Sequence, residues 1–301
     1  MATLRPLIPA DLADAQSVLL QSCHYDRAST VAEEKLFGSA SGDPWRQTLG
    51  AYEHQTLVGV VVVSGRWLRL MVVLPSKRQQ GIGQALLEAA ETAARAAGEQ
   101  TLRTLDQPGN YLAPGIHAQN GHALSWLEKR GYARVGGNTN LITDVAANER
   151  VTSAAFEQRR RKVSADYHIF AAGPSDLPSL CPAIASAFSA GWAFELANAV
   201  TRPPGAAHVA RALDGEWAAF AAHDGNNGGL GWFGPTGTFP AHRNRGLGAV
   251  LLLASLLDIA RAGHEHATIA WIGPREFYER TTGVIGETRF VVLEKALRKP
   301  G

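Results

Sequence analysis

The chain has 301 residues, a length suited to two domains that can each bury a core of their own. Apolar residues make up 46% and charged residues 19%, and the formal charge is +2, which excludes a strongly basic polyanion binder. No apolar run reaches the roughly 20 residues of a spanning helix.

Met1-Ala-Thr-Leu-Arg-Pro has no continuous apolar stretch of signal-peptide length, so a cytoplasmic protein is expected. Cys23 and Cys181 are too few for a disulfide framework and read as inert thiols. Neither Cys-x-x-Cys nor His-x-x-x-His spacing occurs, and no metal is expected.

In chain order, Thr3 to Leu7 reads as a strand, and Pro9-Ala-Asp-Leu starts a helical pattern with Asp11 at its head. Residues 38 to 46 read as a loop. Thr48 to Glu53, Leu57 to Ser64 and Trp67 to Leu74 are β-rich runs separated by short polar turns, the pattern of an antiparallel meander. Pro75 ends the third, having no N–H for a ladder. Ile82, Leu86, Ala89, Ala90, Ala93 and Ala97 then mark one stripe of a helix stopped by Gly98. Thr101 to Leu105 is a strand, a helix runs from about Asn120 to Arg130, and Tyr132 onward returns to strand. Ala146 to Lys162 lacks Gly and Pro and reads as a connecting helix.

The cycle then restarts. Tyr167 to Ala172 is a strand, Pro174 to Phe188 helical, Val209 to Leu213 and Trp217 to Ala222 a hairpin around Asp214-Gly215, Gly231 to Phe239 a strand, Gly246 to Ala262 a helix, and Ala267 to Trp271 a strand. Pro75, Arg78, Gly81, Gly83, Leu86 and Leu87 recur 165 positions later as Pro240, Arg243, Gly246, Gly248, Leu251 and Leu252. Pro9, Asp11 and Leu12 recur at the same offset as Pro174, Asp176 and Leu177. A constant register over that span means two copies of one domain. The expected boundaries are 1–148 and 165–301, joined by a helix over 149–164.

A strand that runs through Arg-x-x-Gly-x-Gly into a helix points several backbone N–H groups at one spot, and glycine lets a ligand come close. The positive helix end completes an anion site suited to a diphosphate. A dinucleotide fingerprint would need a third glycine where Leu86 and Leu251 stand, and a P-loop would need Gly-Lys-Ser/Thr, so neither motif applies.

Strand, Val73-Leu-Pro-Ser-Lys-Arg-Gln-Gln-Gly-Ile-Gly-Gln-Ala-Leu-Leu87, helix, strand and then Asn120-Gly-His-Ala-Leu-Ser-Trp-Leu-Glu-Lys-Arg-Gly-Tyr132 resembles the GNAT acyltransferase superfamily. The resemblance covers nearly the whole chain as two tandem domains, an architecture similar to that of mycothiol synthases. It implies an α+β fold in which each copy has a mostly antiparallel sheet flanked by helices. That sheet splays between the motif strand and the next.

The resemblance further implies acetyl-CoA, its diphosphate on Arg78, Gln79, Gln80, Gly81, Ile82, Gly83 and Gln84 and its pantetheine along Val72 and Val73. The equivalent set in the second copy is Thr238, Arg243, Asn244, Arg245, Gly246, Leu247, Gly248 and Ala249. Asn120 matches the asparagine that opens the last helix in the family, a position that a plain helix cap explains equally well. Aligning Trp126-Leu-Glu-Lys with Phe277-Tyr-Glu-Arg places Tyr278 where many members keep a tyrosine acid, whereas the first copy has Leu127. Catalysis is therefore expected in the second copy, by Tyr278.

Candidates for a general base are His223, Asp224, Glu216 and Glu195 in the second copy and Asp106 and His117 in the first. The segment Tyr111 to His117 is placed to shape an acceptor pocket or to be a surface loop. The expected activity is N-acetylation of a small primary amine, an amino sugar or amino-acid conjugate, by a monomer or homodimer. The alternative is a CoA-binding regulatory protein with at most one active copy.

Overall fold

The structure, a computed structural model, describes residues 2–42 and 45–297; Asp43 and Pro44 of the expected 38–46 loop, and residues 298–301 of the expected second domain, lie outside these. The chain divides into two compact units, one of residues 1–138 with 289–301 and one of residues 139–288.

The first unit begins with β1 (Thr3–Pro6), α1 (Leu12–Ser22) and α2 (Ala32–Phe37). A meander follows of β2 (Arg46–Glu53), β3 (Thr56–Ser64) and β4 (Trp67–Val73). Then come α3 (Ile82–Ala96), β5 (Thr101–Thr104), the short β6 (Ile116–His117), α4 (Gly121–Glu128) and the start of β7 (Ala133–Asp144). The second unit takes the rest of β7, then α5 (Ser153–Val163), β8 (Tyr167–Ala171), α6 (Leu177–Ala187) and α7 (Ala190–Thr201). It continues with β9 (Ala206–Ala212), β10 (Trp217–His223), β11 (Trp232–Thr238), α8 (Leu247–Arg261), β12 (His266–Ile269) and α9 (Arg275–Thr281). The last strand is β13 (Gly286–Ala296).

Each unit has a mixed sheet in which neighbours are mostly antiparallel. In the first the order is β1-β2-β3-β4-β5-β13, and in the second β8-β9-β10-β11-β12-β7. Both repeat one local device at the N-terminus: Asp11 Oδ2 accepts from the Ile8 N–H and Asp176 Oδ2 from the Gly173 N–H, each at 2.9 Å. The two aspartates thus brace the turn into their helices instead of capping forward.

The boundaries differ from 148 and 165 because each unit takes its final strand from the other copy's stretch of chain. Glu294, Lys295 and Ala296 pair with Arg103, Leu102 and Thr101, and Lys295 Nζ reaches Glu91 Oε1 at 2.8 Å. Leu293 and Leu297 are buried among Leu86, Leu87 and Leu102 of the first core. Conversely, Asp144 to Leu141 pair with His266 to Ile269, and Leu141, Val145, Val151 and Val163 join the second core. The expected connecting helix exists as α5, and it packs into the second unit.

Helix α3 buries Ile82, Leu86, Leu87, Ala90 and Ala94, but Ala97 is exposed. Glu91 takes a place in the buried stripe because Arg95, Tyr132 and Lys295 satisfy its carboxylate.

Candidate functional site

The two Arg-x-x-Gly-x-Gly loops have the same backbone. Gln79 and Asn244 both stand at φ +61°, Gly81 and Gly246 at +82° and +84°, and each glycine opens its helix. Arg78 Nε donates to Val73 O at 3.2 Å, and Arg243 Nε to Thr238 O at 3.3 Å, so each guanidinium is tied to the end of its own strand. A left-handed glycine at a helix start turns the free first-turn N–H groups toward one point. A Cβ added to Gly81 would meet nothing within 4 Å, so the space before α3 is open.

Strand β4 pairs in parallel with β5 only at Trp67–Arg103 and Leu68–Thr104, and β5 ends there while β4 runs on to Val73. The β5-facing edge of Leu70 to Val73 consequently has no strand partner among the described residues. Strand β11 repeats this against β12, pairing at Trp232–Thr268 and Phe233–Ile269 and continuing to Thr238.

In the first unit this divergence opens a cleft of about 460 Å³. One end is formed by Arg78, Gln79, Gly81, Gly83 and Gln84, the side by Val72 and Val73, and Asn120 stands in the wall. Of the expected loop residues, Gln80 and Ile82 stay out of the cleft. Gln80 turns its amide back to Ser76 O at 3.2 Å, and Ile82 is buried in the core. Asn120 Oδ1 accepts from Ala123 N at 3.2 Å, so the residue caps α4 as well as lining the cleft. Arg130 lies over the Trp126 ring at 3.7 Å and adds a second positive charge near the loop.

Cys23, Tyr25, Asp26 and His117 also line the cleft. Asp26 was not foreseen from the sequence, because it follows α1 in an irregular stretch with no motif. Its carboxylate makes no hydrogen bond or ion pair among the described residues, and burial pushes its pKa up to about 6. His117 stacks on Tyr25 at 4.4 Å, and its Nδ1 accepts from the Gln119 N–H at 3.1 Å. That acceptor role fixes the neutral tautomer with hydrogen on Nε2, and burial lowers the pKa further, so His117 is a donor and not a base. Cys23 has its pKa raised to about 12, first by burial and then by Asp26, and remains a thiol.

Tyr111 to His117 is not a surface loop. Tyr111, Leu112, Ala113 and Ile116 are buried, and Leu112, Ile116 and His117 line the cleft. Asn110 anchors the segment by donating its amide to the carbonyls of Glu34, Gly38 and Ser39 at 3.0 to 3.2 Å. Asp106 is held by Arg103 at 2.7 to 2.9 Å, an ion pair that leaves no free base there.

In the second unit Thr238 is half-buried, Arg243, Asn244, Arg245 and Gly246 are exposed, and Leu247 and Ala249 are buried. A Cβ added to Gly248 would lie 3.5 Å from the Phe277 ring, as one on Gly83 would lie 3.5 Å from Trp126. Tyr278 is 5% exposed, packed against Phe233 and Phe277, and its hydroxyl makes no hydrogen bond among the described residues. Burial pushes its pKa up to about 12. A thiol ordinarily titrates near 8.5, so a phenol at that value would stabilise a thiolate by hydrogen bonding more readily than by giving up its proton. Glu195 is buried and Glu216 exposed, whereas His223 and Asp224 pair with each other at 3.0 Å.

Residues 44–134 match the family model described as Acetyltransferase (GNAT) domain. No curated protein matches the chain. Among solved structures, the chain is similar to a GCN5-related glucosamine N-acetyltransferase region of a fungal multi-domain GH3 beta-N-acetylglucosaminidase, at 17% identity and TM-score 0.74. That match covers 98% of this chain but 38% of the longer one. A tandem GNAT protein from the clavulanic acid biosynthesis pathway is similar at 16% identity and TM-score 0.68, over 100% of both chains. A GCN5-related N-acetyltransferase from Sphaerobacter thermophilus matches at 17% identity and TM-score 0.64, over 100% of this chain and 96% of that one. The first unit thus contains a GNAT acetyltransferase domain, and the fold along the whole chain is that of tandem GNAT proteins. No helix among the described residues is long and apolar enough to cross a membrane.

Proposed function

We propose that the chain is an acetyl-CoA-dependent N-acetyltransferase acting on the primary amine of a small molecule, with the chemistry in the cleft of the first unit. One observation carries this reading: a single cleft is lined by the Arg78 to Gln84 loop, by Val72 and Val73 of β4 and by Asp26, whose carboxylate has no partner among the described residues. Acetyl-CoA supplies the activated acetyl group. Arg78, Arg130 and the first-turn N–H groups of α3 hold its diphosphate, and the edge of Leu70 to Val73 aligns its amides as an added strand would.

Asp26 attracts the acceptor as an ammonium ion and then accepts its proton. With a pKa of about 6 the carboxylate is ionised near neutrality yet more basic than an ordinary aspartate, which suits a general base. The Nε2–H of His117 is available to an acceptor hydroxyl, so amino sugars stand first among the substrates to test. The second unit keeps the loop geometry and is assigned CoA binding without turnover.

Calorimetry with CoA on wild type, Gly81→Glu and Gly246→Glu, together with acetyl transfer to an amine panel, tests the assignment. Loss of turnover in Gly81→Glu alone supports it. Loss in Gly246→Glu alone moves the chemistry to the second unit, and absence of CoA binding in wild type refutes the reading.

A further inference from the structure

Three side chains of the second unit converge where no sequence motif points. His208 on β9, His223 on β10 and Asp258 in the last turn of α8 each offer one ligand atom, and these atoms lie within 4.8 Å of one another. His208 Nε2 is 2.7 Å from Asp258 Oδ2, and His223 Nε2 is 3.8 Å from the same oxygen.

The state of His223 is the decisive observation. Its side chain is 2% exposed, and its Nδ1 donates to Asp224 Oδ2 at 3.0 Å. Asp224 is itself oriented, since its Oδ1 accepts from the Gly231 N–H at 2.9 Å and more distantly from the Trp232 N–H at 3.4 Å. In the neutral ring this carboxylate-to-histidine relay puts the hydrogen on Nδ1 and the lone pair on Nε2, the arrangement that prepares a histidine as a metal ligand; without a cation, the two carboxylates facing the ring favour its protonated form. Nε2 is fully buried and has no hydrogen-bond partner among the described residues, with Asp258 Oδ2 at 3.8 Å. A buried polar atom without a partner is destabilising unless something fills the place in front of it.

Asp258 is similarly prepared. Arg261 Nη1 donates to Oδ1 at 2.8 Å, leaving Oδ2 for the two histidines.

We propose that His208, His223 and Asp258 form a binding site for one divalent ion of the zinc class. Two imidazoles and one carboxylate are the donors of such an ion and a poor set for calcium or magnesium, which take oxygen. Two ligands about 2 Å from a tetrahedral centre stand roughly 3.3 Å apart, between the 2.7 and 3.8 Å separations from Asp258 Oδ2, and all three atoms lie within 4.8 Å of one another, so the histidines must draw together to complete the site. For His208 to bind as a neutral imidazole, the hydrogen its Nε2 shares with Asp258 Oδ2 moves to Nδ1 of the neutral ring, or leaves to solvent from the doubly protonated one. His208 and Asp258 are partly exposed, at 14% and 27%, so water reaches the fourth position. The ion would pin the end of α8 to β9 and β10, a clamp at the opposite end of the helix from Gly246.

The three ligands come from separate elements, which is why residue spacing predicts no metal. The site is tested on tag-free, metal-stripped full-length protein titrated with Zn²⁺ alone, with binding, melting temperature and the visible spectrum of the Co²⁺ form as readouts. One ion per chain, a higher melting temperature and Co²⁺ bands of a four-coordinate site are expected. His208→Gln and Asp258→Asn, both at partly exposed positions that tolerate change, should each weaken binding at least about 10–100-fold. No uptake by wild type, or undiminished uptake by both variants, overturns the proposal. Neither result bears on acetyl transfer, so the two readings stand or fall separately.

Discussion

The two glycine loops and the slots beside them differ in an instructive way. Their backbones agree to within a few degrees of φ, and both arginines are tied back to the strand before them. The side chains around them have diverged. Val72 lines the first cleft, whereas its counterpart is Gly237, where an added Cβ would lie 2.8 Å from both the Phe188 and Phe220 rings. Phe188 also packs on Trp192 and Phe239, at 5.5 and 5.2 Å. The second copy therefore keeps the loop backbone while rings crowd its strand at Gly237, and the first keeps both loop and open wall. Backbone geometry at a helix start outlasts the side chains that make a substrate pocket.

The strongest test of this contrast is Gly81→Glu. A non-glycine residue in the left-handed region costs about 1–2 kcal/mol, and the new carboxylate would stand where a diphosphate is expected. Turnover should fall at least about 100-fold, the scale of losing preorganised donors, while Gly246→Glu stays within about twofold. Steady-state rates on the best amine of the panel decide it.

Next in size is Asp26→Asn. Removing a general base should lower kcat on the order of 10²–10⁴-fold and abolish an acidic limb centred near pH 6. Stability should move the other way. Burial raises the Asp26 pKa from 3.8 to about 6, so the folded chain binds this proton more tightly than the unfolded one. That contribution is complete below about pH 4 and lost as the pH rises through 6. The variant should melt above wild type at pH 8 and not at pH 4, a gain in stability at the expense of activity. Equal melting temperatures at pH 8 would remove the argument for a perturbed carboxylate.

Asn120→Ala should act more mildly. Its Oδ1 caps α4, and loss of such a cap costs about 1 kcal/mol. A change in melting temperature with KM for acetyl-CoA within about threefold is expected. A much larger rise in KM would show that the amide also holds the ligand.

The features legible in the sequence are those set by local chemistry. Gly98 ends α3 where the sequence places a helix stop, and the meander and motif helices fall where periodicity places them. The features that were not legible depend on distant pairing. Nothing local in Glu294 to Ala296 announces a partner at Thr101 to Arg103, because any β-rich run can serve as either strand. The 106–117 segment has loop composition yet is buried, since Asn110 supplies hydrogen bonds to three carbonyls that a surface loop would leave to water. Asp26 was hidden for a related reason: the cleft it lines is completed by β4 and by His117, which lie far from it in sequence.

The smallest expected effect is the most informative about the second copy. Tyr278 is the residue that family resemblance singles out, and its phenol is set among Phe233, Phe277 and the core of the second unit. Tyr278→Phe keeps the ring and removes only a hydroxyl that has no hydrogen-bond partner among the described residues, so stability should change by less than about 0.5 kcal/mol. If the first cleft carries the chemistry, turnover should stay within about twofold, with CoA affinity unchanged. If the second slot carries it, the same substitution removes the donor to the departing thiolate and should lower kcat by 10²-fold or more, leaving KM for acetyl-CoA in place. A pH profile separates the cases further. A limb near 6 that survives Tyr278→Phe but disappears in Asp26→Asn assigns the reaction to the first unit, and a kcat collapse in Tyr278→Phe returns it to the second.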